Sequence, residues 1–204
     1  SPATTDTLKV IAGIKGQVSN GTKNPAQVVN YISCHDNNTL YDKIILTSRD
    51  RDEAAWRKLS VQANAMVLTS QGIGFVHAGE EFMRSKPLPG NKFDHNSYES
   101  SYEVNALHWE RKITYSLEVE QYRQLISLKT GASAFQYMSQ AEVTTNVKVT
   151  DGNDIVGLTS ATIIVEAQDE NYSYVIVHNG ARPRVKMELT GVDVSGYEVY
   201  LDTS

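Results

Sequence analysis

The chain contains one cysteine, Cys34, so an internal disulfide framework is excluded. No apolar run approaches the roughly 18 residues that a membrane crossing needs. No basic cluster is present either: 19 Lys and Arg stand against 24 Asp and Glu, a formal net charge of -5. That balance argues against nucleic acid as a partner. Internal repeats, low-complexity segments and a signal-peptide pattern are all missing. Ser1 and Pro2 stand where an initiator methionine would, so the chain is expected to begin mid-sequence, with any targeting segment upstream. What remains is ordinary for a globular protein of one or two domains: 204 residues, 40% hydrophobic and 21% charged.

The stretch from Val28 to Leu40 (VVNYISCHDNNTL) organises the rest. It opens as an apolar, β-branched run from Val28 to Ser33 and breaks into His35, Asp36, Asn37 and Asn38. Apolar residues on both faces predict a buried, parallel-type strand, and groups that bind or titrate follow at its carboxyl end. In α/β sheets and barrels that end handles ligands. A strand followed by an ordinary polar turn accounts for the same pattern. Cys34 is read as a small buried side chain in preference to a nucleophile.

Around this stretch, Thr5 or Asp6 can cap a helix through Leu8, Ile11 and Ile14, which Gly16 stops. SNGTKNP, residues 19–25, is turn chemistry. Asp50 to Glu53 has capping-box spacing, and the helix that follows puts Trp56, Leu59, Ala63, Met66 and Val67 on one face, read as core packing. Ile73 to Gly79 is a second short apolar strand that exits into Glu80 and Glu81. Helix, strand, helix, strand with short connections predicts parallel strands with helical crossovers. Phe82 to Trp109 has no periodicity and reads as a long binding loop. A further helix from Leu117 to Lys129, closed by Gly131, turns Val119, Tyr122 and Ile126 inward.

Beyond about Met138 the texture changes. Val143, Thr145, Val147 and Val149 alternate with polar neighbours up to the Asp151-Gly152 turn. Strands are predicted at 155–158, 162–167, 172–178, 184–189 and 197–201, with Asp169-Glu170-Asn171 as a hairpin loop. The fold class is therefore α/β followed by all-β: an α/β portion over 1–138 and a small antiparallel β-sandwich over 139–204.

Three constellations carry chemistry. His35 and Asp36 at the strand exit can hold sugar hydroxyls, act as a base or bind a metal. His35, Asp36, His77, Glu80, Glu81, Asp94 and His95 are types that bind metals, but they form no short ligand motif, and mid-strand His77 reads as a satisfied core histidine. The loop with His95-Asn96-Ser97-Tyr98 and Asn105 to Trp109 combines amides, hydroxyls and rings suited to carbohydrate. A polar loop pinned by a buried Trp109 fits it equally.

VNYISCHDNNTLYDK resembles the last conserved region of the α-amylase superfamily in the form found in type I pullulanases. ANAMVLTSQGIGFVHAGEEF, HNSYESSYEVNALHWERK and EQYRQLISLKTGASAF resemble the segments that follow it there, in the same order. The resemblance covers roughly Asn24 to Phe135 and implies that 1–138 is the C-terminal part of a (β/α)8 TIM barrel, its last two strands and their helices. It further implies retaining hydrolysis of α-1,6 branch linkages in pullulan, starch or glycogen-type glucans. Asp36 matches the acid that stabilises the transition state, His35 a histidine on the same sugar, and Asn96, Asn91 and Asn105 fall in the loop expected to line the groove. No cofactor is required, a structural calcium stays open, and an exported bacterial enzyme is favoured over a cytoplasmic one. Two departures stand out: Ser100-Ser101-Tyr102 replaces the family's Ser-Pro-Asp, and KPLPGNKF (86–93) resembles an extension that reshapes the groove entrance.

A whole barrel takes at least about 200 residues, far more than precede the sandwich here. The nucleophile and the acid/base of the family lie on earlier strands. The chain is thus expected to need the remainder of the barrel as a partner and to be inactive alone. A non-catalytic glucan-binding or scaffolding module is the alternative.

Overall fold

The computed structural model describes residues 5–17, 22–49, 52–154, 158, 161–180 and 196–200. In chain order the elements are α1 (Thr5–Ile14), β1 (Val29–Asn30), α2 (Leu40–Thr47), α3 (Glu53–Leu68) and β2 (Ile73–Gly74). Then come β3 (Pro87–Leu88), β4 (Lys92–Phe93), α4 (Tyr102–Asn105), α5 (Arg111–Thr114) and α6 (Ser116–Gly131). The chain closes with α7 (Gln140–Asn146), β5 (Val147–Asp151), β6 (Thr162–Gln168) and β7 (Ser173–Asn179).

The described residues fall into two compact units, one drawn from 1–28, 69–73 and 129–202, the other from 29–68 and 74–128. In the first unit, α1 stops as expected at Gly16, whose φ is 63° and whose Cβ position lies 2.8 Å from Pro25 Cβ, so only glycine fits. Its sheet has the order β5-β6-β7, antiparallel throughout, with Val147 opposite Ala167 and Ala167 opposite Tyr174. Phe135, Val143, Val147, Ile164, Val165 and Ala167 form the core. Lys129 is bound into it: its ammonium donates to the carbonyls of Ser70 at 2.7 Å, Gly72 at 2.8 Å and Phe135 at 2.6 Å.

The expected strand alternation from Val143 begins inside a helix. Ser139 caps α7, its hydroxyl accepting from the Glu142 amide while the Glu142 carboxylate accepts from the Ser139 amide at 2.9 Å. This reciprocal pair holds 140–146 helical, and pairing starts only at Val147. The hairpin loop at Asp169 is where it was expected: the Asp169 carboxylate accepts from the amides of Asn171 and Tyr172. Residues 155–157 and 184–189, read as strands, lie outside the described residues, as does 201. Residues 197–200 carry no strand.

In the second unit α2, unforeseen in the sequence, starts at Thr39, whose hydroxyl accepts from the Asp42 amide at 3.2 Å. α3 runs as expected, yet its buried positions are Ser60, Val61, Asn64, Val67 and Leu68. Of the face read from the sequence, only Val67 is fully buried, because Asn64 and Ser60 turn toward Tyr122 and Glu80. α6 buries Glu118, Tyr122 and Leu125, and leaves Ile126 45% exposed in place of facing inward. The Arg57–Glu118 pair explains the rotation: the guanidinium donates to both carboxylate oxygens, at 2.7 and 2.9 Å.

The two apolar runs pair in the same direction. The Ile73 amide donates to the Val28 carbonyl at 2.8 Å, and the Phe75 amide to the Asn30 carbonyl at 2.9 Å. That is the parallel arrangement expected from the alternation. Both strands are much shorter than read, and the first is not buried: Val29, Tyr31 and Ile32 are 52%, 54% and 43% exposed. A parallel strand is covered only when it has neighbours on both sides and helices over both faces; among the described residues β1 has the single neighbour β2. Cys34, read as buried in that strand, is half-buried beyond its end.

Candidate functional site

β1 delivers the chain into an irregular segment that carries the organising polar residues. Ser33, buried, donates to the Glu80 carboxylate and anchors the strand's end. Two residues further, the side chains of His35 and Asp36 are 85% and 82% exposed, with His35 Nε2 3.3 Å from Asp36 Oδ2. Asn37 takes the left-handed conformation at φ 68°, and its side-chain oxygen accepts from the Asn38 amide at 2.8 Å. An exposed histidine–carboxylate pair on a fixed turn can accept and donate hydrogen bonds to a polyol at once.

A second group, within electrostatic reach of His35, combines cations with one imidazole. His77 is half-buried; its Nε2 stands 3.3 Å from Arg84 Nη1, while its buried Nδ1 meets no protein partner. Burial, then the positive charges of Arg84, Lys86 and His35, hold its pKa below the ordinary imidazole range. His77 is thus not the satisfied core histidine expected. Arg84 also donates to the carbonyls of Asn105 at 2.8 Å and Ala78 at 3.3 Å. Gly79 makes this possible: at φ 95° its Cβ position lies 2.8 Å from Arg84 Cβ.

The loop beyond is tied down by two carboxylates. Fully buried Asp42 accepts from the Ser85 hydroxyl and, at 2.8 Å, from the Lys86 amide. Lys86 is itself buried, its Nζ donating to Ser97 Oγ at 2.5 Å, and burial pushes its pKa down. Asp94 accepts from the Ser100 hydroxyl and from the Asn96 amide at 2.9 Å, bonds that hold its carboxyl below the usual range. Between them β3 and β4 form a hairpin, Pro87 opposite Phe93, whose tip residue Asn91 is left-handed at φ 56°.

Of the site residues read from the sequence, His35 and Asp36 stand together, and His35 lies within electrostatic reach of His77. Asn96 and Asn91 are exposed on the loop. Asn105 turns inward, its amide donating to the carbonyls of Ser97 at 2.7 Å and Ser100 at 3.2 Å. Trp109, read as buried, is 56% exposed, its ring 5.5 Å from that of Phe82. Tyr98 and Tyr102 are also exposed, at 78% and 81%. Among the described residues no three His, Cys, Asp or Glu side chains come together as metal ligands. Asp42, Arg84 and Lys86 are the residues that sequence reasoning missed. The spacing of Thr39 and Asp42 marks a helix start; nothing local marks Arg84 or Lys86.

No family model matches the chain. Among curated proteins it is 36% identical over 119 residues to the pullulanase of Bacillus subtilis, spanning 58% of this chain and 16% of that protein. It is 40% identical over 84 residues to the chloroplastic pullulanase 1 of Arabidopsis thaliana, 41% of this chain and 8% of that one. Among solved structures, a Paenibacillus barengoltzii pullulanase variant complexed with maltotetraose superposes over 94% of this chain and 30% of its own, with TM-score 0.79 and 30% identity. Type I pullulanase from B. subtilis complexed with maltose gives TM-score 0.74 over 87% of this chain and 25% of its own, at 27% identity. The chain is pullulanase-like over most of its length and spans about a sixth of the first of these curated relatives.

Proposed function

We propose that this pullulanase-like chain supplies the last two strands, with their helices and exit loops, of a (β/α)8 barrel that hydrolyses α-1,6 branch linkages of α-glucans with retention of configuration. The rest of the barrel and its substrate, a branched α-glucan, are the partners. The observation that carries the proposal is the exposed His35–Asp36 pair at the carboxyl end of β1, in a chain whose solved neighbours include complexes with maltose and maltotetraose.

Retaining hydrolysis uses a carboxylate nucleophile and a carboxylic general acid/base about 5 Å apart, and needs no cofactor. In the proposed division of labour both lie on strands outside this chain. Asp36 grips hydroxyls of the sugar at the scissile bond, more tightly as the ring flattens toward an oxocarbenium ion, and so lowers the barrier. His35 donates to the same sugar and is held by Asp36 in the orientation that does so. His77 and cationic Arg84 add to the electrostatic surroundings of the pair. Asn96, with the exposed rings of Tyr98 and Tyr102, extends the surface along the glucan. Asn91, at the tip of the 87–93 hairpin, meets it at the entrance. The support for Asn105 is indirect: its amide shapes the loop from within.

The proposal makes residues 139–204 a C-terminal β-sandwich of which β5, β6 and β7 form one sheet. The decisive experiment measures reducing-end release from pullulan by the 204-residue chain alone and by the chain joined to the upstream barrel of a pullulanase. Turnover only in the joined protein supports the proposal; robust turnover by the chain alone overturns it.

A further inference from the structure

The His35–Asp36 turn has no burial of its own to hold it: His35, Asp36 and Asn37 are exposed, and residues 34–38 carry no helix or strand. Buried residues bracket it instead, Ser33 at 9% exposed and Thr39 at 2%. Among the described residues, the backbone bonds that join β1 to its neighbour end at the Phe75 amide and the Asn30 carbonyl, 2.9 Å apart. Past that point side chains take over.

At the near end, the Ser33 hydroxyl donates to Glu80 Oε1, while the Asn64 amide nitrogen donates to Oε2 at 2.8 Å. Glu80 is itself fixed just past β2, its own amide donating to the His77 carbonyl at 3.1 Å. At the far end, Thr39 caps α2 by accepting from the Asp42 amide at 3.2 Å. The Asp42 carboxylate in turn accepts from the Ser85 hydroxyl and, at 2.8 Å, from the Lys86 amide. Glu80 and Asp42 are 4% and 0% exposed. Two buried carboxylates thus bind both ends of one exposed turn to a single short segment, residues 80–86. Each bond is hard to break, because a buried carboxylate that loses a donor is left short of a partner.

We infer that Glu80 and Asp42 are positioning residues for Asp36, a two-point clamp that presents the His35–Asp36 turn to the glucan in one geometry. The inference rests on the role proposed above for Asp36; the clamp itself rests on the hydrogen bonds. Both carboxylates are buried and act through the turn, not on the sugar. Such a device matters because a group that stabilises a transition state is exacting about place: a shift of about 1 Å can cost 10²-fold in rate.

The test joins the chain to the upstream barrel of a pullulanase and compares Ser33→Ala with the parent on pullulan. A fall in kcat of roughly 10- to 100-fold is expected, with KM within about twofold. In an Asp36→Asn background the same substitution costs less than about twofold, because the two residues act as one unit. Glu80→Gln, which keeps an oxygen for Ser33, stays within about threefold of the parent. In the 204-residue chain, Ser33→Ala speeds amide hydrogen exchange at 34–38 about tenfold or more and leaves α6 protected. Ser85→Ala, at the far end of the turn, carries the same comparisons if Ser33→Ala does not fold. Unchanged kcat in the serine variant while Asp36→Asn loses activity overturns the inference and leaves the proposed function standing. The full loss repeated in the Asp36→Asn background marks a general structural role and overturns it equally. Unchanged exchange at 34–38 overturns the clamp whatever the activity. An active Asp36→Asn protein overturns the proposed function and this inference with it.

Discussion

The amide nitrogen of Asn64 donates to Glu80 Oε2 at 2.8 Å, joining the middle of α3 to the turn that follows β2. The same nitrogen stands 2.8 Å from the Tyr122 hydroxyl, and Ser33 donates to the other oxygen of the carboxylate. Glu80 is only 4% exposed and has no cation among these partners, so its burial is tolerated through donors alone.

Removing a donor exposes that dependence. Asn64→Ala is expected to destabilise the chain by about 2–3 kcal/mol, the cost of leaving a buried carboxylate short of a partner. Urea denaturation checks it. A change within about 0.5 kcal/mol shows that the network is dispensable.

Two buried groups oppose one another in pH dependence. Burial, ahead of its hydrogen bonds, raises the Glu80 pKa, so stability from its protonated form is full below the unfolded value and is lost as pH rises through the folded one. His178 behaves inversely. Buried with Thr69 3.2 Å away, it is held down to about 4, against an ordinary value of 6.5. Stability therefore falls as pH drops from 6.5 toward 4, by on the order of 3 kcal/mol. Denaturation between pH 7 and 4.5 should show a flatter loss in His178→Gln and a steeper one in Glu80→Gln. Unaltered slopes in both variants would contradict the assignment.

Asp36 is expected to matter for catalysis and not for folding. In the joined barrel Asp36→Asn should lower kcat/KM for pullulan roughly 10²–10³-fold, the size of a lost transition-state contact. The melting temperature should stay unchanged because the side chain is 82% exposed. An active variant removes Asp36 from the proposed mechanism.

Lys129 is the reverse case. Its amine, pushed down to about 8 by burial, stays cationic at neutral pH and serves three carbonyls. Lys129→Met keeps the stem but orphans all three, at a cost of about 2–4 kcal/mol. Hydrogen exchange localised to 69–73 and 132–136 distinguishes this from global weakening.

What was legible in the sequence depended on how local its cause is. Gly16 and Asp169 announce a helix stop and a turn because the reason lies within a few residues. The break at His35 stands out as a change of chemistry after an apolar run. The buried face of α3 does not, since Asn64 looks like a solvent residue until Glu80, 16 positions away, and Tyr122, 58 away, are placed beside it. Val143 misled for another reason. A period of two overlaid a capping box, and the box, with its paired hydrogen bonds from Ser139 and Glu142, prevailed. The loop residues Arg84 and Lys86 gave no signal because an isolated cation ordinarily points to water.

The first unit is assembled from 1–28, 69–73 and 129–202, with the second unit's segments intervening. During synthesis its opening helix leaves the ribosome roughly 130 residues before the sheet that shares its unit. It must therefore wait without its sheet while 29–68 and 74–128 emerge and condense. The order of birth is thus the reverse of the order of completion: the unit that begins first closes last. Slowing translation near β6 and β7 should lengthen the exposure of Ile14 and Val28, both nearly fully buried in the finished protein, to chaperones and proteases.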